Sequence, residues 1–477
     1  MSTFIFGKSA LGVRVFSAFL GLGTSFLLYT LATSLFNDKT GAWAVVLLNL
    51  TPIFNAGSTL MTIDPLMIFF WSAAMLTFWR ALHRTGKTGQ RYWIATGLMI
   101  GLGFLCKYTA ALLLLSMMLV LGFSRRWRGQ LSRRGFYSAF GTFALCTIPV
   151  LFWNAKHGWI TVTHLKERAG GAEDGGIKFS EFGKFVGMHL GVYSPLLFVG
   201  LLWALYRTLR GGLRDDGARY LAAFSLPILV LYFGLSFREA GEANWTAPGF
   251  LAAGILLAHF WDSARLTAGV KRGLQSIALV TAGAMTCIAL HTDAVRQLGI
   301  HIPYNVDPSA RLRGWQETAE AVEDVTVSAI EYEKKKGRSG ELFLIANRWQ
   351  LAAELAFYMN DDLPIIRPTP AHPVVHTIES RIPVHQFSFW PRYDGIDASS
   401  GDDARVGENP QRRFNSPFVG KTALYVTDNA KRKKPPGSIT DRFEKFQLIR
   451  VVDVLRGGNE VRQIKIFACY VYRQGDL

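Results

Sequence analysis

The sequence predicts a multispan α-helical membrane protein followed by a small soluble α/β domain. Three observations carry this prediction. Half of the 477 residues are hydrophobic and only 18% are charged, a composition of membrane proteins rather than of one soluble core. The charges cluster between apolar runs close to the roughly 20 residues that a membrane span needs. From Thr292 onward the long apolar runs stop, and strand and helix patterns separated by Pro- and Gly-rich loops replace them. The expected division is a membrane domain over residues 1–291 and an α/β domain over residues 292–477.

About ten spans are expected, starting near Leu11, Thr40, Pro65, Tyr92, Tyr108, Gly135, Phe182, Arg219, Trp245 and Gly273. The Tyr92 and Tyr108 runs are short enough to form one broken pair. The net charge of +17 follows this layout. Loops after the odd-numbered spans hold 17 basic residues against four acidic ones; the opposite loops hold nine against seven, and the tail 26 against 24. Cytoplasmic loops retain Lys and Arg in this way, so the excess is not a nucleic-acid footprint. The asymmetry places Asp64, the turn at Lys107, the loop from Asn154 to Glu181, the Arg238–Trp245 loop and the whole tail outside the cytoplasm. It also places the N-terminus outside, although Lys8 and Arg14 argue locally for the reverse. The larger charge count decides, and it implies a span upstream of Met1. A cleaved signal peptide ending near Ala32-Thr33-Ser34 is the rival, but its apolar run exceeds the usual ~7 to 15 residues.

In the tail, "GELFLIANRW" reads as a strand leading into the helix "QLAAELAFYM", and "KTALYVTDN" and "QIKIFACYVYR" read as further strands. "PIIRPTPAHPVV" and "YDGIDASSGDDARVGENPQRR" read as loops. Cys106, Cys146, Cys287 and Cys469 share no short spacing, which indicates neither a disulfide framework nor a zinc cluster.

Charge is nearly absent inside the spans; Lys184, His189 and Arg219 lie toward their ends. An ion-coupled transporter needs ionisable groups near mid-membrane, so transport is disfavoured. The polar groups gather at the outer span ends, beginning with Asp64 in "TLMTIDPLMIFFW". An acid before Pro at a helix start caps free amides and complements the helix dipole; a chemical role needs partners on the same side. "LGFLCKYTAALL" supplies Lys107 and Tyr108, which also fit a snorkelling Lys beside an interfacial Tyr. "FWNAKHGWITVTHLKERAGG" supplies Lys156, His157, His164, Glu167 and Arg168. His164 and Glu167 would share a helix face and leave a divalent metal open, although no third ligand is specified. "FREAGEANWTAPGF" adds Glu239, Glu242 and Asn244, and its "NWT" doubles as a glycosylation sequon.

Four of these stretches, "TLMTIDPLMIFFW", "GLGFLCKYTAALLLL", "LFWNAKHGWITVTHL" and "EANWTAPGFLAAGILLA", resemble in order and spacing the bacterial members of glycosyltransferase family 39. These are relatives of the protein O-mannosyltransferases and of the aminoarabinose transferase of lipid A. In the tail, "DPSARLRGWQETAEAV", "ANRWQLAAELAFYM" and "HQFSFWPRYDG" resemble members with an extra soluble domain, so the resemblance covers nearly the whole chain. It implies a C-type glycosyltransferase fold and a bacterial inner-membrane enzyme. Such an enzyme moves a sugar from a polyprenyl-phosphate carrier to an acceptor hydroxyl at the outer face, with inversion. The polyprenyl tail stays in lipid, which puts its phosphate where the outer span ends meet water.

The reaction needs a carboxylate for the acceptor proton and cations for the departing phosphate. Lys107 is the first candidate for the phosphate, with Tyr108, Lys156, His157 and Arg168 beside it; Glu167, Glu239, Glu242 and Asn244 are candidates for the acceptor or secondary roles. In the family, the first outer loop carries an Asp-Glu pair whose Asp is the usual base. The opening "MSTFIFGKSALGVRVFSAFLG" resembles the stretch just after that loop, which implies that the pair lies outside this numbering. Asp64 matches a second acidic position, as a helper at the catalytic site. The alternatives are a non-catalytic relative that binds glycan or organises a complex, and a lipid-linked sugar transporter. Sugar and acceptor identity are not legible.

Overall fold

The computed structural model describes residues 2–163, 176–211, 215–263, 267–297, 299, 307, 312–367, 373–377, 393, 416–456 and 459–473. The chain divides into two compact units, one of residues 1–152 with 166–291, the other of residues 153–165 with 292–477.

In the first unit, α1 (Ala10–Leu35) starts at Ser9, whose hydroxyl accepts from the Gly12 amide at 3.0 Å. Asn37 caps α2 (Asp38–Asn49) in the same manner. The run expected to cross as one span from Thr40 instead breaks before α3 (Pro52–Thr59). Pro52 offers no amide, and Thr51 before it is extended. Next come α4 (Ile63–His83) and α5 (Gly86–Cys106). The chain then breaks at Lys107, passes through a 3₁₀ turn at Tyr108–Ala111 and enters α6 (Leu112–Phe123). The Tyr92 and Tyr108 runs are thus two helices meeting at the lysine. After α7 (Arg134–Lys156), the segment expected as one continuous span from Phe182 is two helices, α8 (Phe179–Tyr193) and α9 (Pro195–Arg210), bent by 107°. Pro195 ends the first helix, and Ser194 makes the corner at φ +65°.

The unit closes with α10 (Asp216–Leu235), α11 (Ala247–Ser263) and α12 (Ala268–Leu290). Among the described residues, α1, α4, α7, α10 and α12 are long and apolar enough to cross a membrane, and α8 with α9 makes a sixth if the bent pair is one span. The packed interior centres on Trp71, Phe78, Tyr220, Phe224 and Phe250, all fully buried. Every residue of α11 from Ala247 to Ala258 is buried, as expected of a helix apolar on all sides. This buried helix holds the turn that precedes it in place.

The second unit carries a five-stranded sheet in the order β2-β1-β3-β5-β4. Its strands are β1 (Leu342–Ala346), β2 (Val375–Thr377), β3 (Thr422–Thr427), β4 (Phe443–Arg456) and β5 (Asn459–Tyr472). Strands β2, β1 and β3 run parallel, and β5 and β4 add an antiparallel hairpin. Helices α13 (Trp315–Lys335) and α14 (Trp349–Tyr358) cover the Leu342, Leu344, Leu424 and Ile466 face. Phe343, Tyr425, Phe467 and Cys469 point into a separate aromatic core on the other face. The expected strands and the helix after β1 are present. Strand β2 takes up the end of a segment read as loop. Strand β4 was not legible because its register shifts twice, between Leu448 and Arg450 and between Val454 and Leu455, and each shift breaks the alternation.

Candidate functional site

Three of the segments expected at the outer face meet at Asp64. Thr62 is the N-cap of α4, and its hydroxyl accepts from the Asp64 amide at 3.3 Å. Thr62 is thus the cap, the role that a bland reading would give Asp64, and the Asp64 carboxylate faces elsewhere. One oxygen, Oδ1, takes the Lys107 ammonium at 2.8 Å, and the other, Oδ2, takes the Asn244 side-chain amide at 2.7 Å. The Asp64 and Lys107 side chains are 17% and 16% exposed. The pair is thus largely shielded yet still open to an entering group.

Each partner is placed by local structure. Lys107 is the extended residue at the break between α5 and the 3₁₀ turn, and its amide closes α5 on the Gly103 carbonyl at 2.9 Å. Asn244 sits in the 3₁₀ turn Ala243–Thr246 ahead of the buried α11. Gly241 makes that approach feasible: it has φ +62°, and a Cβ there would stand 2.7 Å from the Trp245 ring. Trp245 in turn packs on Tyr232 with ring centroids 5.3 Å apart. The same turn is pinned from inside by Thr246, whose hydroxyl lies 2.7 Å from Nε2 of the buried His189.

The other expected site residues are distributed differently. Tyr108 packs against Phe104 with centroids 5.0 Å apart. Glu239 and Glu242 are exposed. Lys156 and His157 close α7 and group with the second unit; His157 donates through Nδ1 to the Trp153 carbonyl at 2.7 Å and stacks on the Trp153 ring at 4.2 Å. His164, Glu167 and Arg168 lie outside the described residues. Among the described residues, no three His, Cys, Asp or Glu side chains converge as metal ligands.

Sequence reasoning ranked Lys107 and Asp64 as separate candidates and Asn244 as secondary; their direct contact was not legible. Glu181 was missed as a second link at this end of the unit. It accepts from Lys184 at 2.5 Å and from the Ala240 amide at 3.3 Å. The spacing of three between Glu181 and Lys184 was its visible signal.

A carboxylate held between an ammonium and a carboxamide can orient a hydroxyl group, and a shielded ammonium can bind a phosphate oxygen. Residues 1–153 match the family model described as dolichyl-phosphate-mannose-protein mannosyltransferase. The chain is 25% identical over 51% of its length to the lipid A galacturonosyltransferase RgtD of Rhizobium johnstonii, covering 50% of that protein. It is 27% identical over 54% of its length to the undecaprenyl phosphate-alpha-4-amino-4-deoxy-L-arabinose arabinosyl transferase of Erwinia tasmaniensis, covering 46% of that protein. The matched region thus spans about half the length of these curated relatives. The crystal structure of ArnT from Cupriavidus metallidurans bound to undecaprenyl phosphate superposes with a TM-score of 0.56 at 16% identity, over 98% of this chain and 85% of that one. By these matches residues 1–153 are similar to the dolichyl-phosphate-mannose-protein mannosyltransferase family, and the chain has the C-type glycosyltransferase fold of ArnT.

Proposed function

We propose that the protein is a membrane glycosyltransferase that takes a sugar from a polyprenyl-phosphate carrier and transfers it to an acceptor hydroxyl of the cell envelope, with inversion. The observation that carries this reading is the Lys107–Asp64–Asn244 contact at one end of a bundle of apolar helices. Lys107 takes the donor phosphate as a point charge and stabilises it as the glycosidic bond breaks. Asp64 orients the acceptor hydroxyl, and Asn244 holds the carboxylate in place when Lys107 turns to the phosphate. The named relatives act on undecaprenyl-phosphate aminoarabinose or on lipid A, which favours a lipid-linked donor and an envelope acceptor here.

The proposed location is a bacterial inner membrane, with the second unit and the Asp64 cluster on the outer side. The positive excess of the opposite loops supports that orientation. A reporter fused after His291 should be active only outside the cytoplasm; activity only inside would reverse the topology. The transfer reaction is tested with membranes containing the full chain and a panel of undecaprenyl-phosphate sugars, followed by mass spectrometry of the envelope lipids. Wild type should add one sugar mass, and Lys107→Ala should add none while still inserting. Undiminished transfer by Lys107→Ala would remove the lysine from the mechanism.

A further inference from the structure

A second site lies at the end of the first unit that carries the basic loops. A cavity of about 220 Å³ opens between the end of α6 and the start of α10, lined by Val120, Phe123, Trp127, Leu209 and Ala223. Its lining is almost wholly apolar, with Ser124 and Arg219 among the residues that border it. Ser124 is 4% exposed, and neither its hydroxyl nor the buried Nε of Arg219 makes a hydrogen bond to a described residue. Buried polar groups are nearly always satisfied, so two unsatisfied donors on residues that border one apolar slot point to an occupant with a hydrocarbon chain and an acceptor oxygen that reaches them from it.

The charge beside the slot identifies that acceptor. Arg219 already gives one guanidinium nitrogen to Asp216 at 2.6 Å, and Asp216 also takes Arg126 at 3.1 Å. Asp215 is occupied by the α10 amides of Gly217 and Ala218. Arg207 and Arg210 line a second cavity of about 430 Å³ with Asp215, Ala218 and His259, on another side of the start of α10. Among the described residues, Arg126, Arg207, Arg210 and Arg219 stand near Asp215, Asp216 and, beside His259, Asp262, which leaves a net positive charge that suits an anion. Basic pockets between membrane helices suit phosphate headgroups, whose chains enter the apolar space beside them.

We propose that this slot binds one anionic phospholipid, with an acyl chain in the α6–α10 cavity and its phosphate on Ser124, Arg219 and the neighbouring arginines. The inference is independent of the proposed transfer reaction, because it concerns residues that the Asp64 cluster does not use.

The test uses the full chain in detergent, equilibrated with mixed dioleoyl phosphatidylglycerol and phosphatidylcholine, with retained lipid measured by native mass spectrometry. Wild type should keep one phosphatidylglycerol. Arg219→Gln should lower the preference over phosphatidylcholine about fivefold, the effect of one headgroup charge. Ala223→Phe should fill the slot and abolish retention of both lipids. If that variant does not fold, Ser124→Ala, which removes one donor and adds no bulk, should weaken retention about fivefold. Lys107→Ala should leave retention unchanged. Equal retention by wild type, Arg219→Gln and Ser124→Ala would overturn the proposal, as would displacement of the phospholipid by oleate or loss of retention in Lys107→Ala.

Discussion

Replacing Asp64 separates a structural cap from a member of a charged cluster. If the carboxylate only capped α4, Asp64→Asn would cost almost nothing, because Asn caps as well as Asp. The structure predicts otherwise, since Thr62 is the cap and Asp64 is paired with Lys107 at 2.8 Å. At that distance the gross attraction is about 6 kcal/mol for an effective dielectric of about 20. Both side chains are mostly withdrawn from solvent, and desolvation offsets much of it. The net value expected of a shielded, charge-assisted hydrogen bond is about 1.5–3 kcal/mol. The measurement is a double-mutant cycle of Asp64→Asn and Lys107→Gln, read by equilibrium unfolding in mixed micelles. A coupling energy of about 1.5–3 kcal/mol is expected, and Thr62→Ala should cost about 1 kcal/mol with no coupling to Lys107. A coupling within about 0.5 kcal/mol of zero would refute the paired arrangement.

Three further outcomes follow from the geometry. Gly241→Ala should lose at least about 1 kcal/mol of stability, because φ is +62° and the new methyl would press on Trp245; unchanged unfolding would mean that the turn relaxes freely. Cys469 is fully buried, and burial pushes its thiol up to about 12. Its thiolate should be scarce across pH 7–9 in the folded chain, and N-ethylmaleimide should label it only after denaturation; native labelling within about tenfold of the denatured rate would contradict this. Arg462 lays its guanidinium 3.4 Å from the Trp315 ring and donates to Thr318 at 3.0 Å. Arg462→Lys loses the planar stack and should destabilise the second unit by about 1–2 kcal/mol in hydrogen-exchange protection, whereas an unchanged profile would assign the contact no energy.

The legible parts of the fold were those with one dominant physical signal. Apolar length marked the helices, and short apolar runs rich in β-branched and aromatic residues, bounded by turn residues, marked β1, β3 and β5. The breaks at Thr51–Pro52 and Ser194–Pro195 were visible as prolines, but hydrophobicity ran through them and concealed the 107° bend. Strand β4 failed the alternation test because of its two register shifts. At the site, residue types were legible and contacts were not. Asp64, Lys107 and Asn244 are far apart in sequence, and only the packing of α4, α5 and the turn before α11 joins them. The helix start around Asp64 also misled locally: an acid at the first turn looks like a cap, while the capping hydroxyl belongs to Thr62 two residues earlier.

The most direct test of the central claim is the affinity of the full chain for undecaprenyl phosphate, measured by titration in nanodiscs for wild type, Lys107→Arg and Lys107→Ala. Wild type should bind. Lys107→Arg should retain part of the affinity, and Lys107→Ala should lose about tenfold or more, the weight of one shielded charge-assisted contact. Equal affinity in all three proteins would contradict the assignment of Lys107 to the carrier phosphate, and with it the proposed transfer from a lipid-linked donor at this site.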